Sequence, residues 1–222
     1  MKYEVETGAL FDLTHTLASA YLRDTRYPFE ALPCIGDWIV SIGETLSKEE
    51  FEERETHVWI ARSACVASTA SILPPAIIGA HAEVRHCAYL RGNVLVGEGC
   101  VIGNSTEVKN SILFDGAQVP HFNYVGDSVL GYRAHFGAGV IASNVRADKA
   151  NVVIHARGED LPTTRRKVGA MVGDLAEIGC GAVLAPGAVV GQRSIVYPLS
   201  FVRGCVPSDA VYKADDCIIK RC

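Results

Sequence analysis

The sequence predicts an all-β fold, a single-stranded parallel β-helix with a short helical N-terminal segment, and three observations carry that prediction. Large apolar residues recur every six positions, from Ile60 through Val66, Ile72, Ile78, Val84, Leu90, Val96, Ile102 and Val108 to Phe114. The position four further on is small or short, as at Ala64, Ala70, Ala76, Ala82, Ala88, Val94, Cys100 and Thr106. Glycine repeatedly follows the large residue, as in Ile78-Gly79, Val96-Gly97, Ile102-Gly103, Phe136-Gly137 and Val190-Gly191. A six-residue period matches neither the α-helix nor an alternating strand. It matches a unit of one short strand and one turn, three of which close a triangular coil. Neighbouring coils then stack in parallel at about 4.8 Å.

The elements follow in order. Residues 1–56 lack the repeat and are expected to form a mostly helical cap over the first open coil. Leu13 to Leu22 reads as a short helix, and Pro28 and Pro33 bound an irregular stretch. Ser47 followed by Glu50 resembles a capping box, predicting a second helix through Glu55. Residues 57–206 form the column. Its pattern lapses at Pro120 and Gly126, resumes in a new phase at Leu130, Phe136 and Ala142, and returns at Val172, Ile178, Leu184, Val190, Val196 and Val202. Residues 143–168 interrupt the second run and read as a projecting hairpin, carried by Val152-Val153-Ile154, Ala156-Arg157-Gly158-Glu159 and Arg165 to Val168. Loops thrown out of a rigid scaffold often carry function; a solvated insertion or a trimer contact is the alternative for this one. Residues 207–222 are a C-terminal tail.

Composition narrows the class. The chain has 222 residues, 49% of them apolar, enough for one sizeable core. A net charge of −4 gives no reason to expect a nucleic-acid partner. No stretch is long and apolar enough to span a membrane, and Met1 to Gly8 carry two glutamates and no apolar run, against a signal peptide. A soluble, cytoplasmic protein is expected. The eight cysteines form no Cys-x-x-Cys pair. Cys65, Cys87, Cys100 and Cys180 read as small core residues in a reducing compartment, and Cys217 and Cys222 as exposed tail thiols.

Candidate chemistry gathers where the apolar rule fails. The stretch Pro120-His121-Phe122-Asn123-Tyr124-Val125-Gly126-Asp127-Ser128 collects groups able to bind and to move a proton. A neutral imidazole at His121 can accept a proton from an attacking amine; a structural or merely exposed histidine is the plainer reading. Arg91 and Lys109 stand eighteen apart, one coil, each directly after a core aliphatic. They are expected to stack on one face, which suits a phosphate; two solvated cations with Asp127 as partner fit the spacing as well. Gly137-Ala138-Gly139 offers a backbone N–H able to face a developing oxyanion, or is an ordinary corner. His81 and His86 stand five apart, but their register relative to Ile78 does not match a zinc site, and no metal is expected.

On the stretches Glu107-Val108-Lys109-Asn110, His121 to Ser128, Phe136-Gly137-Ala138-Gly139 and Thr164-Arg165-Arg166-Lys167-Val168-Gly169-Ala170, the chain from about Val84 to Val206 resembles a known family. It is similar to the acetyltransferase domain of bifunctional glucosamine-1-phosphate acetyltransferase/N-acetylglucosamine-1-phosphate uridyltransferase. It is closer still to the C-terminal domain of archaeal sugar-1-phosphate nucleotidylyltransferases that also acetylate amino-sugar phosphates. The resemblance implies a left-handed coil, a homotrimer with sites between subunits, and acetyl-CoA as co-substrate. It implies His121 as general base, Arg91 and Lys109 as sugar-phosphate ligands, Tyr124 and Asn144 as sugar contacts, and Ala138 N–H facing the acetyl carbonyl. Cys180 falls near a coenzyme-contacting serine, and Arg165, Arg166 and Lys167 are expected to reach coenzyme phosphates. His135 stands where the bacterial family has a substrate asparagine, and Val145 replaces a tyrosine, so the acceptor sugar is left open. Residues 1–56 are too short for a nucleotide-binding α/β domain, and no nucleotidyl transfer is expected of this chain alone. The expected activity is acetyl transfer to the amine of an amino-sugar 1-phosphate. The alternative is a non-catalytic module that binds a sugar nucleotide or scaffolds a partner enzyme.

Overall fold

The computed structural model describes residues 4–156, 158–213 and 217–221. Arg157 and Cys222 lie outside the described residues. The architecture is the expected single-stranded left-handed parallel β-helix, a three-walled column. The first wall runs through Val58–Ala61, Ala76–Ile78, Val94–Val96, Ser111–Leu113, Val129–Leu130, Met171–Val172, Val189–Val190 and Cys205–Val206. The second runs through Cys65–Val66, Glu83–Val84, Val101–Asn104, Gln118–His121, His135–Phe136, Glu177–Ile178, Ile195–Val196 and Ala210–Tyr212. The third runs through Ser71–Ile72, Tyr89–Leu90, Glu107–Lys109, Tyr124–Gly126, Ile141–Ala142, Val183–Leu184 and Phe201–Val202. The rungs within each wall pair in parallel. Two antiparallel strands lie at the ends: Phe51–Glu55 on the first rung of the first wall, and Ile218–Lys220 on Ala210–Tyr212 of the second.

The inward register holds from Ile60 to Val108, all within the column's interior. It then slips. The next interior residues are Leu113, Val119, Val125 and Leu130, while Phe114 faces outward into a second apolar layer. The lapse at Pro120 and Gly126 is therefore a shift of register, with no break in the column. Early coils span eighteen residues (Val94 opposite Ala76), and the middle ones seventeen (Ser111 opposite Val94, Tyr124 opposite Glu107). The corner after Leu90 uses two left-handed residues, Gly92 and Asn93, at φ 81° and 54°. The corners after Val108 and Val125 turn on one each, Asn110 at φ 47° and Asp127 at φ 48°. Asparagine and aspartate tolerate that region better than other residues with a Cβ.

The N-terminal segment departs from expectation. It comprises short helices at Thr7–Leu10, Leu13–His15, Ser19–Arg23, Pro28–Cys34 and Ile35–Gly43. These lie along the first wall instead of over the open end. Leu10, Leu22, Leu32, Ile35 and Ile39 pack on the outward side chains Trp59, Ile77, Leu95, Ile112 and Met171. Fully burying each such side chain contributes about 1.5–3 kcal/mol. Helix Ile35–Gly43 approaches closely because a Cβ at Gly43 would lie 2.4 Å from the Trp59 ring. Leu13 to Leu22 splits between two of the short helices. The helix expected through Glu55 is instead the strand Phe51–Glu55. The turn at Ser47 does form, with Glu50 and Phe51 N–H on its carbonyl, but the chain then extends to pair with the first rung.

The 143–168 excursion does form a hairpin, Val153–Ala156 with Glu159–Pro162. It folds back instead of projecting, because Val152, Ile154 and Val168 bury themselves in the layer outside the first wall. The cysteine reading holds for Cys100, but Cys65, Cys87 and Cys180 are exposed. Cys87 occupies a left-handed corner, φ 60°, whose side chain points out of the column.

Candidate functional site

The third wall and its two corners collect most of the expected residues. Along a strand, alternate side chains face out. On this wall Leu90, Val108, Val125 and Ala142 point into the core, leaving Tyr89, Arg91, Glu107, Lys109, Tyr124 and Ile141 outward. Glu107 pairs with Tyr89 and Val108 with Leu90, and Arg91 N–H donates to Val108 O, so Lys109 lies opposite Arg91 one rung away. Each cation has a carboxylate partner. Arg91 Nη1 is 2.6 Å from Glu107 Oε1, and Lys109 Nζ is 3.3 Å from Asp127 Oδ2. Tyr124, half-buried between them, has its hydroxyl pushed above the ordinary value by burial and then by the Glu107 carboxylate; a hydrogen bond from Asn144 pulls the other way.

His121 stands at the second–third corner, at the other edge of the same wall. Its exposed side chain is set by a fixed backbone. Asn123, 3% exposed, accepts from His121 N–H at 3.1 Å and donates to Gly137 O at 2.8 Å. The chain then turns through Phe122 at φ 51°. The strand Tyr124–Gly126 separates this edge from the cation edge by roughly 10 Å. Backbone bonds from Gly139 N–H to His121 O (3.0 Å), Gly181 N–H to Ala138 O (2.8 Å) and Leu199 N–H to Cys180 O (2.9 Å) stack His121, Ala138 and Cys180 on successive rungs. Ala138 is exposed, and its N–H has no acceptor among the described residues.

At the third–first corner runs a polar ladder that spacing by six does not reveal: Asn93, Asn110, Asp127 and Asn144, each seventeen apart. Asn93 Nδ2 donates to Asn110 Oδ1, Asn110 Nδ2 to Asp127 Oδ1, and Asn144 Nδ2 to Asp127 Oδ2. Helical residue Leu32 covers it, its carbonyl accepting from Asn110 Nδ2. Gly126 makes room here: a Cβ would lie 2.6 Å from Tyr124 Oη and 2.7 Å from Asn144 Nδ2. Asn144 O accepts from Val168 N–H, and Val145 bridges Lys167, so the excursion brings Lys167 to this corner. Arg165 Nε is buried without a partner.

His135 is not with this set. It faces out of the second wall, its Nδ1 2.8 Å from Glu177 Oε2, beside a cleft of about 1000 Å³ that Tyr132, Arg133 and Gln118 also line. Its strand parity aims it away from the third wall of the same chain. Among the described residues no three His, Cys, Asp or Glu side chains are placed to hold a metal ion, and no helix is long and apolar enough to cross a membrane.

Residues 72–157 match the family model of the GMPPB C-terminal domain. The bifunctional protein GlmU of Methanococcus maripaludis is 33% identical over 135 residues, 60% of this chain and 33% of that protein. The bifunctional sugar-1-phosphate nucleotidylyltransferase/acetyltransferase of Sulfurisphaera tokodaii is 37% identical over 111 residues, 50% of this chain and 28% of that protein. The chain thus spans about a third of the length of the curated relatives it matches. Among solved structures, PerB from Caulobacter crescentus in complex with CoA and GDP-perosamine overlaps 73% of this chain and 56% of its own, with 20% identity and a TM-score of 0.37. By sequence, half to three fifths of this chain is similar to a part of the bifunctional GlmU and sugar-1-phosphate nucleotidylyltransferase/acetyltransferase proteins, and its residues 72–157 match the GMPPB C-terminal domain.

Proposed function

We propose that this protein transfers an acetyl group from acetyl-CoA to the amine of an amino-sugar 1-phosphate, glucosamine-1-phosphate or galactosamine-1-phosphate. One observation carries the reading: Arg91 and Lys109 stand one rung apart on the wall whose opposite edge holds His121, with Ala138 on the next rung. The cations hold the phosphate, and Tyr124 and Asn144 contact the sugar. The amine nitrogen attacks the thioester carbon while His121 accepts its proton. Ala138 N–H stabilises the oxyanion as it forms. The C–S bond then breaks, and coenzyme A leaves with a proton as the free thiol. Cys180, two rungs from His121, borders the coenzyme, with Arg165, Arg166 and Lys167 as contacts for its phosphates. The acetyltransferase activity in the relatives' names supports this.

A homotrimer working in the cytoplasm completes the proposal. The chain's own helices cover the first wall, leaving the second and third for neighbours. Exposed apolar residues gather along the shared corner and the third wall: Phe122 (63% exposed), Leu199 (84%) and Phe201 (61%). A neighbour's second wall opposite this third wall would bring in its His135. The test is thiol release from acetyl-CoA with each sugar phosphate, wild type against His121→Ala. Equal rates would remove His121 from the reaction. Absence of coenzyme A binding alongside tight sugar-nucleotide binding would favour the non-catalytic alternative.

A further inference from the structure

The polar ladder has one odd member. Asn93, Asn110 and Asn144 are amides, and amides alone, each with a donor and an acceptor, can hydrogen-bond along such a stack. At the rung beside Lys109 and Asn144 stands a carboxylate, Asp127, 3% exposed. A buried carboxylate is costly unless fully paired. Asp127 is so paired: Asn110 Nδ2 at 2.9 Å on Oδ1, and Asn144 Nδ2 with Lys109 Nζ (3.3 Å) on Oδ2.

The chemistry of these groups fixes their direction. An ionised carboxylate only accepts, so both asparagines must turn their NH₂ groups toward it. Asn144 Nδ2 has a second hydrogen, and the Tyr124 oxygen is the neighbour placed to take it, since a Cβ on Gly126 would lie 2.7 Å from Asn144 Nδ2 and 2.6 Å from Tyr124 Oη. A phenol that has accepted in this way keeps its own O–H for another partner, and the Tyr124 hydroxyl donates to no group among the described residues.

We propose that Asp127 is a positioning residue that sets the donor polarity of the third wall: through Asn144 it turns the Tyr124 O–H outward, and directly it holds the Lys109 ammonium, so that both meet an anionic ligand as donors. This rests on reading the third wall as the place where the acceptor's phosphate binds. Beyond pairing with Lys109, which the spacing already allowed, it assigns Asp127 control of the Tyr124 O–H through Asn144, without contact to the ligand.

The test is calorimetric binding of glucosamine-1-phosphate and inorganic phosphate to the full chain, with the thermal midpoint measured in parallel. In Asp127→Asn an NH₂ group faces another donor, and affinity is expected to fall at least about tenfold, with a lower midpoint. In the exchanged pair Asp127→Asn with Asn144→Asp, residue 127 donates to the carboxylate at 144, and the midpoint recovers. That carboxylate now takes the Tyr124 proton, so affinity for inorganic phosphate, which has no sugar for residue 144 to contact, stays low, and Tyr124→Phe adds little further loss to it. Recovery of affinity together with the midpoint would show a purely structural role and overturn the proposal. Unchanged affinity in Asp127→Asn, or no binding of either probe by wild type, would overturn it too. If the affinities follow the expected pattern while wild type releases no thiol from acetyl-CoA with any amino-sugar phosphate, the acyl-transfer reading falls and the role of Asp127 stands.

Discussion

Asn123→Ala probes how the turn before the third wall is held. The side chain accepts from His121 N–H at 3.1 Å and donates to Gly137 O at 2.8 Å, from a site 3% exposed. Truncation leaves the His121 N–H without an acceptor and leaves Gly137 O with only the long 3.4 Å bond from Val140 N–H. Each such group costs about 1–3 kcal/mol; His121 N–H is only partly buried, so the sum is about 3 kcal/mol. For a chain of this size that lowers Tm by roughly 6–12 °C. Solenoids unfold by neighbouring units, so hydrogen exchange at Phe122–Val125 should rise before the rest of the column opens. Asn123→Asp should be at least as damaging, since a carboxylate would face the carbonyls of Gly137 and Val140. If His121 is the proton acceptor, turnover in Asn123→Ala should fall by about tenfold or more, because a small misplacement of a reacting group is costly. A midpoint within roughly 2 °C of wild type, with unchanged exchange at the turn, would refute this account of the corner.

Three further outcomes are expected. Trp59→Ala should cost about 3–5 kcal/mol by opening a cavity under Gly43, and exchange should rise first in Ile35–Gly43; protection there equal to wild type would contradict the packing of the helices on the first wall. Phe122→Asp combined with Leu199→Asp should shift the protein to monomer in analytical ultracentrifugation, whereas an unchanged mass would exclude this corner from any subunit interface. The Cys100 and Cys205 thiols, both pushed up to about 12 by burial, should resist alkylation at pH 8 until denaturant is added, while Cys87 and Cys180 react in the native protein.

The inward register was legible because core packing demands a large aliphatic at one position of every rung, and that demand repeats. What escaped the six-residue reading was governed by other forces. A corner turned by one left-handed residue, as at Asn110 or Asp127, shortens the coil to seventeen, and a fixed period then misassigns Phe114 to the core. The covered first wall carried an available signal: Val58-Trp59-Ile60, Ala76-Ile77-Ile78 and Val94-Leu95-Val96 are apolar at every position, the mark of a strand buried on both faces. The second and third walls, with Glu83-Val84, Gln118-Val119 and Glu107-Val108-Lys109, alternate instead. Phe51–Glu55 has a helical composition, but an unpaired backbone edge outweighs local preference. At the site, Arg91, Lys109 and His121 were visible as unlike residues at core-repeat offsets. The bonds made by Asn123 and by the ladder partners of Asp127 were not, because they run across coils, at spacings of fourteen and seventeen.

The return of the chain after its excursion has a consequence for how such a column can change. Leu130 pairs with Val172 directly, as though the forty-one residues between were one ordinary circuit. Each bend is thus a splice point: length added or removed there is absorbed locally, and the tiers above and below keep their alignment. The surface that meets small molecules can then be redrawn by editing bends alone, while the aliphatic stack that supports it stays as it is.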